Sequence, residues 1–392
     1  MERIGIYGGT FNPPHIGHML AVKQAVELLK LDRLLIMPDR IAPHKQLPEG
    51  SATPQQRYEM VQLAAADIPG AEVSDLELRR EGTSYTYLTV LQLRELYAQA
   101  QLVLLMGTDM FLSFHTWKNP HIIAENAILG VMYRGEKGER QAIAEQKERL
   151  EALGMRIELV PNEVTVISST DLRRMLIFQC ASPFLHKSVL EYICREGLYG
   201  AGRSCRELSL EELEQTVVSL LKPNRVAHVL GCRDTAVQMA KHWGADETDA
   251  ARAALLHDIT KALDGPLQLT LCQEYGILLD AFSEKNPKTL HAWTGSLVAE
   301  RIFGENRAVV DAIRHHTTGK AGMSLLEKII YIADYIEPNR DFPGVEQLRR
   351  KAFENLDDAL RLGLETTLEH LKRQGSEVSP ESLEALRFLR GL

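Results

Sequence analysis

The pattern of apolar and polar residues differs between the two halves of this chain, and it changes near residue 200. Up to about residue 160, short apolar runs alternate with longer stretches in which apolar residues recur at helical spacing. The apolar runs predict six strands, at residues 3–7, 33–37, 71–76, 102–106, 127–132 and 156–160. The stretches between them predict helices, among them 16–30, 54–66, 87–99 and 140–153. This alternation predicts an α/β domain with a doubly wound, Rossmann-like parallel sheet and a ligand site at the carboxyl ends of its strands.

The second half of the chain carries a helical pattern with almost no strand signal. Residues 200–204 read GAGRS, a composition typical of a linker. Ser209, followed by Glu211 and Glu212, is typical of a helix start, because the serine can cap free amides and the acids complement the helix dipole. We therefore predict an α/β domain over residues 1–199, a linker over 200–208 and an all-α domain over 209–392, with the boundary near residue 205.

Composition excludes several classes of protein. A chain of 392 residues exceeds one ordinary core, and 45% hydrophobic with 25% charged residues is typical of a globular protein. The net charge of −8 argues against a general nucleic-acid binder, although it allows a local phosphate site. No apolar run approaches a membrane span and the chain opens on a strand, so we expect no membrane partner and a cytoplasmic location. Its five cysteines are scattered and never spaced as CxxC, which disfavours a disulfide framework and a zinc ribbon.

The segment GGTFNPPHIGH, at residues 8–18, carries the first candidate chemistry. Gly8 and Gly9 allow the chain to turn sharply after a strand and to approach a ligand closely. A helix that starts after such a turn presents free amides and a positive dipole, which favour phosphate. His15 and His18 lie three residues apart on one face of its first turn, where both could donate to a triphosphate. The segment resembles the HxGH signature of nucleotidylyltransferases, which stabilise charge on the transferred group without a covalent intermediate.

A second motif, ISSTDLR at residues 167–173, is expected to face the same phosphates. Ser169 or Thr170 can cap a helix, and Arg173 one turn later can add a guanidinium group. A plain capped helix is the alternative interpretation of this motif alone. Combined with the first motif it predicts two helix starts that converge at the switch point of the sheet.

These motifs, with the Gly107-Thr108-Asp109 turn and Trp117, resemble bacterial nicotinate-nucleotide adenylyltransferases over residues 1–199. The resemblance implies a nucleotidyltransferase-type fold and a set of side chains at the ATP phosphates: Thr10, His15, His18, Ser169 and Arg173. Asp109 would hold the adenosine ribose, and Lys45 would approach the phosphate of the acceptor. Trp117 would stack on the pyridine ring, and Thr86 would contact the region of the nicotinate carboxylate. The other residues expected to bind ATP or substrate are Gly8, Gly9, Phe11, Gly107, Ser168 and Thr170.

The implied reaction is attack by the 5′-phosphate of nicotinate mononucleotide on the α-phosphorus of ATP, with Mg²⁺ on the triphosphate and His15, His18 and Arg173 as catalytic residues. A phosphate nucleophile is ionised at pH 7 and needs no general base. Leu88 departs from the family, which usually has an acidic residue at this position. Phosphopantetheine is an alternative acceptor, although the PPH of the first motif and Trp117 favour a pyridine mononucleotide. A core aromatic at Trp117 and a solvated lysine at Lys45 are the alternatives for those two residues.

The second half contains an adjacent pair, His257-Asp258, at the end of the apolar helix predicted over 250–256. Such a dipeptide means little alone, but Asp334 lies inside a strongly apolar helical segment, and a buried carboxylate needs a cation or a proton. The candidate metal ligands are His228, His257, Asp258, His291, His316 and Asp334. Four imidazoles and two carboxylates suit iron, manganese or zinc, and six ligands predict two metals bridged by Asp258.

This half resembles the HD phosphohydrolase superfamily and, from about 225 to 350, is similar to bacterial symmetrical diadenosine-tetraphosphate hydrolases. The segments that carry the resemblance run from Ala254 to Lys261, from His316 to Gly319 and from Glu327 to Arg340. It implies metal-assisted hydrolysis that yields two ADP, with iron as the expected metal and with Asp258 and Lys261 as catalytic residues. Lys261 and Arg340 are phosphate candidates, with a surface lysine as the alternative for Lys261. His315 replaces an aromatic residue of the family, so the ligand assignment of His316 rests on the His-Thr-Thr-Gly alignment.

The sequence therefore predicts a bifunctional enzyme whose partners are small-molecule nucleotides and, as one option, a second copy of the chain. Two alternatives concern the second half. It could hydrolyse another nucleotide, such as a dNTP, a cyclic nucleotide or a guanosine alarmone, or it could sense nucleotides without turnover. The complete set of six ligands argues against a sensor, which does not need them all.

Overall fold

The computed structural model describes residues 1–43, 46–135, 138–165 and 167–391 of the chain. It divides them into two compact units, Met1–Arg203 and Ser204–Leu392. The division falls inside residues 200–208, which the sequence predicts to be the linker.

The first unit is built on one sheet of six parallel strands, as the sequence predicts. The strands are β1 Arg3–Gly9, β2 Arg33–Pro38, β3 Ala71–Val73, β4 Gln101–Gly107, β5 Ile128–Met132 and β6 Ile157–Val160. Their order is β3-β2-β1-β4-β5-β6, so the direction of winding reverses between β1 and β4. In a sheet of this kind the crevice at the carboxyl ends of those two strands is where ligands bind.

The third strand is shorter than the sequence predicts. The apolar run 71–76 suggests one strand, but β3 ends at Val73 and Leu76 begins a short helix. The Ser74 hydroxyl accepts a hydrogen bond from the Leu76 amide at 3.3 Å, and this local bond turns the chain out of the sheet.

Nine helices flank the sheet within the described part of the first unit. They are α1 Ile16–Leu28, α2 Pro54–Ala65, α3 Leu76–Arg79, α4 Thr86–Leu96, α5 Thr108–Leu112, α6 Pro120–Asn126, α7 Glu139–Glu151, α8 Ser169–Ile177 and α9 Lys187–Arg195. Apolar side chains from both sources fill the core, among them Ile6 and Leu104 of the strands and Phe111 of α5. This core holds the carboxyl ends of β1 and β4 in fixed positions.

The start of α8 differs from the sequence expectation. The N-cap is Ser168, whose hydroxyl accepts from the Asp171 amide, and not Ser169 or Thr170. Three consecutive hydroxyl residues could each have served as the cap, and only Ser168 keeps the extended backbone that an N-cap needs. The Ser169 side chain is thereby released for another partner.

The second unit is all helical in its described residues, 204–391, and the predicted fold class is confirmed for both units. Its helices are α10 Leu210–Leu220, α11 Pro223–Trp243, α12 Glu247–Leu256, α13 Gly265–Glu274, α14 Ala281–Lys285, α15 Leu290–Val298, α16 Arg307–His315, α17 Leu325–Ile336, α18 Val345–Glu354, α19 Leu356–Arg373 and α20 Pro380–Leu389. The predicted helix start at Ser209 is confirmed, since Ser209 and Glu212 form a reciprocal capping box. In the part of the chain that the structure describes, no helix is both long and apolar enough to cross a membrane.

Candidate active sites

A cavity of about 320 Å³ opens at the carboxyl ends of β1 and β4 in the first unit. Nine of the predicted site residues line it: Gly8, Gly9, Thr10, Phe11, His18, Thr86, Gly107, Trp117 and Ser169. The other predicted residues that the structure describes lie outside this lining: His15, Asp109, Ser168, Thr170 and Arg173. Lys45 lies outside the described residues.

The two histidines of the first motif stack on each other at the start of α1. Their ring centroids lie 3.5 Å apart, with His15 buried and His18 on the cavity wall. Burial, with a contribution from the positive charge of Arg134, lowers the pKa of His15 to about 3, so this imidazole is neutral at pH 7. His18 Nδ1 accepts a hydrogen bond from the His15 amide at 3.3 Å, so Nε2 is the donor atom of that ring.

The second motif meets the first motif through two hydrogen bonds. Arg173 Nη1 donates to the carbonyl oxygen of Asn12 at 2.8 Å, and Ser169 Oγ donates to that of Pro13 at 3.2 Å. The expected convergence of the two motifs is therefore confirmed. Arg173 supports the loop in front of His15 and His18, while Ser169 also reaches the cavity wall.

An ion pair that sequence reasoning missed holds the glycine-rich loop. Arg57 of α2 is 1% exposed and donates to Asp39 Oδ1 at 3.0 Å and to the Thr10 carbonyl oxygen at 2.6 Å. Thr10 Oγ1 in turn donates to Asp39 Oδ2 at 2.7 Å. Asp39 directly follows β2, and an acid placed at the carboxyl end of a strand was the available signal.

Asp109, the candidate ribose ligand, pairs with another residue that the sequence reasoning missed. Arg134 Nη1 lies 2.8 Å from Asp109 Oδ2, and both side chains are half exposed. Gly107 allows this approach, because a Cβ there would lie 2.7 Å from Arg134 Nε. Glu139, at the start of α7, accepts hydrogen bonds from the Arg134 amide at 2.5 Å and from Thr108 Oγ1. The cavity rim thus carries a fixed arginine.

Aromatic side chains form the other end of the cavity. Trp117 is half buried, packs against Phe114 with ring centroids 5.4 Å apart, and also lines the cavity. Thr86 begins α4 on the same wall, and Lys118 Nζ lies 4.3 Å from the centre of the Tyr85 ring. Trp117 therefore has both a packing partner and a face toward the cavity.

In the second unit, four histidines direct their Nε2 atoms toward one place. In His257, His291 and His316, Nδ1 donates to the carbonyl oxygen three residues earlier, at 2.7, 2.8 and 2.7 Å. In His228, Nδ1 lies 3.1 Å from Oε1 of Glu337. Since carbonyl and carboxylate oxygens only accept, Nδ1 carries the proton of each ring and Nε2 keeps its lone pair.

These lone pairs face one another at short distance. The Nε2 atoms of His228 and His257 lie 3.4 Å apart, and those of His291 and His316 lie 3.2 Å apart. Two imidazole lone pairs repel at that range unless a cation or a hydrogen-bond donor lies between them. At the second pair, Thr317 Oγ1 lies 3.3 Å from His291 Nε2 and 3.1 Å from His316 Nε2. Asp334 Oδ1 joins the first pair, 3.1 Å from His228 Nε2.

Asp258 lies between the two histidine pairs and is fully buried. Its Oδ2 is 3.5 Å from His257 Nε2, and its Oδ1 is 3.4 Å from His291 Nε2. Among the described residues, Oδ1 has no hydrogen-bond partner. Burial would raise the pKa of Asp258, but neighbouring positive charge, including that of Lys261, holds it well below its usual range. An orphaned buried carboxylate oxygen beside converging nitrogen lone pairs fits a divalent metal centre.

Three cations surround this cluster. Lys261 Nζ lies 3.4 Å from Asp258 Oδ1 and 3.0 Å from His291 Nε2. Arg340 Nη2 donates to Asp334 Oδ1 at 2.6 Å. Arg225, which the sequence reasoning did not select, donates to Asp258 Oδ2 from Nε at 2.8 Å and also from Nη2. The site therefore offers both anions for a metal and cations for a phosphate.

His315 turns away from the cluster that its neighbour joins. His315 Nδ1 lies 2.7 Å from Oε1 of the buried Glu327, whereas His316 Nε2 lies 3.8 Å from Asp258 Oδ1. The geometry agrees with the choice of His316 made from the sequence alignment.

Hydrogen bonds with α20 hold the loop that follows His316, a feature that the sequence did not predict. Thr318 Oγ1 donates to Glu381 Oε2 at 2.6 Å, and Ser382 Oγ donates to the Thr318 carbonyl oxygen at 2.7 Å. Arg314 adds an ion pair to Glu381 at 3.1 Å. These contacts fix the backbone that carries His316.

Comparison with known proteins gives each unit a family. A cytidylyltransferase-like family model matches residues 6–175, and an HD domain model matches residues 225–339. The matched ranges contain the cavity-lining motifs of the first unit and all six candidate metal ligands of the second.

Curated relatives align with either half of the chain. A "Probable nicotinate-nucleotide adenylyltransferase" of Dictyoglomus turgidum is 35% identical over 198 residues, 50% of this chain and 95% of the relative. A "Bis(5′-nucleosyl)-tetraphosphatase, symmetrical" of Bacillus subtilis is 36% identical over 186 residues, 46% of this chain and 98% of the relative. A crystal structure of a predicted HD superfamily hydrolase involved in NAD metabolism, from Clostridium acetobutylicum, is 37% identical, with a TM-score of 0.46, and covers 47% of this chain and 98% of that chain.

The names of the relatives are those of a nucleotidyltransferase for the first half and of a hydrolase for the second. An HD domain implies a divalent metal, which agrees with the His and Asp groups of the second unit that could hold one. The chain therefore belongs to the cytidylyltransferase-like family, among homologues of nicotinate-nucleotide adenylyltransferase, through its first unit, and to the HD domain family through its second.

Proposed function

We propose that this protein is a bifunctional enzyme of nucleotide metabolism. Its first unit transfers AMP from ATP to nicotinate mononucleotide and releases deamido-NAD and pyrophosphate. Its second unit hydrolyses diadenosine tetraphosphate symmetrically to two ADP. The names of the relatives support both reactions, and the two sites described above support the chemistry of each.

The main structural support for the first reaction is the position of the His18 imidazole, which lies at the start of α1 on the cavity wall that Ser169 also lines. Free amides at that helix end, the Nε2 donor of His18 and the Ser169 hydroxyl together favour a polyphosphate. Because donors held in place need no reorganisation, they stabilise the charge that develops as the α-phosphorus is transferred. The attacking phosphate is already ionised, so positioning of the two substrates supplies the remaining catalysis. Mg²⁺ accompanies ATP as part of the substrate.

The remaining predicted residues divide between the two substrates. Asp109 holds the ribose of ATP beside Arg134. Arg173 contacts the ATP phosphates as a catalytic residue and also supports the loop in front of His15 and His18. Trp117 stacks on the pyridine ring of the acceptor, and Thr86 contacts its carboxylate. Lys45 approaches the acceptor phosphate.

The main structural support for the second reaction is the position of Asp258, which directs one carboxylate oxygen toward each histidine pair. His228, His257 and Asp334 would hold one metal ion, His291 and His316 would hold a second, and Asp258 would bridge them. When bound, such ions lower the pKa of a water molecule and stabilise the leaving oxygen of a polyphosphate. Lys261 and Arg340 place positive charge where the substrate phosphates lie. Iron is the proposed metal, with manganese and zinc as the alternatives that the same ligands accept.

Two assays on the purified full-length protein test the proposal. In the first, ATP and nicotinate mononucleotide should yield pyrophosphate and deamido-NAD, and phosphopantetheine in place of the mononucleotide should yield none. In the second, diadenosine tetraphosphate should yield ADP alone. Release of ATP and AMP would contradict symmetrical cleavage, and turnover of a dNTP, a cyclic nucleotide or a guanosine alarmone in its place would indicate another substrate. Binding without turnover would indicate a sensor.

A further inference from the structure

One carboxyl group on the wall of the first cavity has no part in the reaction proposed above. Glu77 of α3 is buried, 6% exposed, and lines the cavity together with Ser84, Thr86 and Thr89. Thr86 and Thr89 lie one turn apart on α4. Glu77 therefore borders the segment to which the carboxylate end of the acceptor is assigned.

The groups that face Glu77 come from every element packed around it. Thr89 Oγ1 of α4 donates to Glu77 Oε1 at 2.6 Å, and Arg80, at the end of α3, donates to the same hydroxyl at 3.0 Å. The Ser84 hydroxyl adds a second hydrogen bond, and Asp39 at the end of β2 faces Glu77 as a like charge. The other cations on the cavity wall, Lys118 and Arg134, lie against Tyr85 and Asp109 respectively.

These surroundings raise the pKa of Glu77 into the physiological pH range. Burial, strengthened by the charge of Asp39, raises the pKa of Glu77 to about 7, against the hydrogen bonds from Thr89 and Ser84 and the charge of Arg80. Below that pH the carboxyl group is neutral and can donate a hydrogen bond to a carboxylate. Above it, the Glu77 carboxylate adds a negative charge to the cavity wall, beside Asp39, whose own charge is paired with Arg57.

We propose that Glu77 is a specificity-determining residue of the adenylyltransferase site, where its protonated form favours an acceptor that carries a carboxylate over the otherwise identical neutral amide. The inference rests on the proposed adenylyl transfer to a pyridine mononucleotide. A neutral amide on the pyridine ring is little affected when Glu77 ionises, whereas a carboxylate is repelled by the new negative charge on the cavity wall. Selectivity for nicotinate over nicotinamide mononucleotide should therefore fall as pH rises.

The test compares kcat/KM for nicotinate mononucleotide with kcat/KM for nicotinamide mononucleotide on the full-length protein between pH 6 and pH 8. The ratio of the two values cancels effects that the acceptors share, including titration of their phosphate and any pH effect on ATP. In the wild-type protein we expect the ratio to fall about tenfold over this range, through changes in KM of the acceptor rather than in kcat.

Three variants identify the group that titrates. Glu77→Gln keeps the size of the side chain and a donor, and its ratio should stay high and constant across the range. Glu81→Gln, which removes an exposed carboxylate of the same segment outside the cavity lining, should retain the wild-type fall. Thr89→Val removes a hydrogen bond that stabilises the ionised form, so the midpoint should move to higher pH.

The outcomes separate this inference from the proposed function. A wild-type ratio that does not change with pH, or a fall that Glu77→Gln retains, overturns the role of Glu77 while adenylyl transfer stands. A protein that adenylylates neither mononucleotide at any pH overturns the proposed function and this inference with it. If Glu77→Gln does not fold, the wild-type ratio and the midpoint of Thr89→Val still decide the question.

Discussion

Glu337 accepts a hydrogen bond from Nδ1 of His228 at 3.1 Å, and this contact fixes which ring nitrogen of His228 faces the other candidate metal ligands. Glu337 is itself 1% exposed and accepts from the Asn339 amide at 2.7 Å. Gly231 makes room for it, since a Cβ there would lie 2.6 Å from Glu337 Oε2. A carboxylate behind a ligating imidazole sets its tautomer and raises its basicity.

Replacing Glu337 should therefore weaken the proposed metal centre without removing any of its proposed ligands. We expect Glu337→Gln to lower metal affinity and hydrolysis of diadenosine tetraphosphate by about 10- to 100-fold, because the orienting negative charge is lost. Added metal should restore part of the activity. The measurement is metal content together with hydrolysis across a metal titration, with exposed Glu346→Gln as the control. Loss of hydrolysis with normal metal affinity would contradict a role for Glu337 through His228.

Asp258→Ala should abolish hydrolysis and lower the bound metal toward one ion or none. The substitution removes the only side chain among the candidate ligands whose two oxygens face both histidine pairs. It also leaves Arg225 and Lys261 without their shared anion. Adenylyl transfer should survive, because the two units have separate cores.

The measurements for Asp258→Ala are ADP release, metal content and pyrophosphate release, with exposed Asp234→Ala as the control. ADP release at the wild-type rate from Asp258→Ala would refute the bridging role. Normal metal content alone would be less damaging, since five ligands remain that could keep ions in an inactive arrangement.

Local patterns in the sequence were sufficient to predict the fold class of each unit. An apolar run such as that of β4 followed by Gly107 predicts a buried strand and its end, because apolar burial and glycine turns are short-range properties. The two functional motifs could be identified for the same reason, since each lies within one turn and one helix start. The candidate metal ligands were selected by their chemistry and their apolar surroundings, of which Asp334 inside α17 is the clearest case, and His316 was selected by the family resemblance.

The sequence did not predict contacts between residues that are far apart in the chain and that only the fold brings together. Arg57 reaches Asp39 across 18 positions, and Glu381 reaches Thr318 across 63 positions, with no local signal in either case. Glu77 is an ordinary acid in the sequence and gains its raised pKa from burial. Arg134 could not be paired with Asp109 for the same reason.

His18→Ala should remove a donor whose interaction strengthens as charge develops on the transferred group. We expect kcat for adenylyl transfer to fall about 100-fold or more, with hydrolysis by the second unit unchanged. His115→Ala removes an exposed histidine of the same unit and should leave kcat unchanged. The assay is pyrophosphate release at saturating ATP and nicotinate mononucleotide. A His18→Ala protein with wild-type kcat would exclude the role given to this imidazole.

Trp117→Ala tests which of its two contacts matters for function. If the indole stacks on the pyridine ring, KM for nicotinate mononucleotide should rise about tenfold while KM for ATP changes little, because only the acceptor loses a contact. Phe114→Leu, which disturbs the packing partner of Trp117 in the core, is the matched control and should lower Tm with little effect on either KM. Steady-state kinetics and thermal unfolding of both variants separate the two roles. Equal rises in both KM values for Trp117→Ala, together with a drop in Tm like that of Phe114→Leu, would identify Trp117 as a core residue.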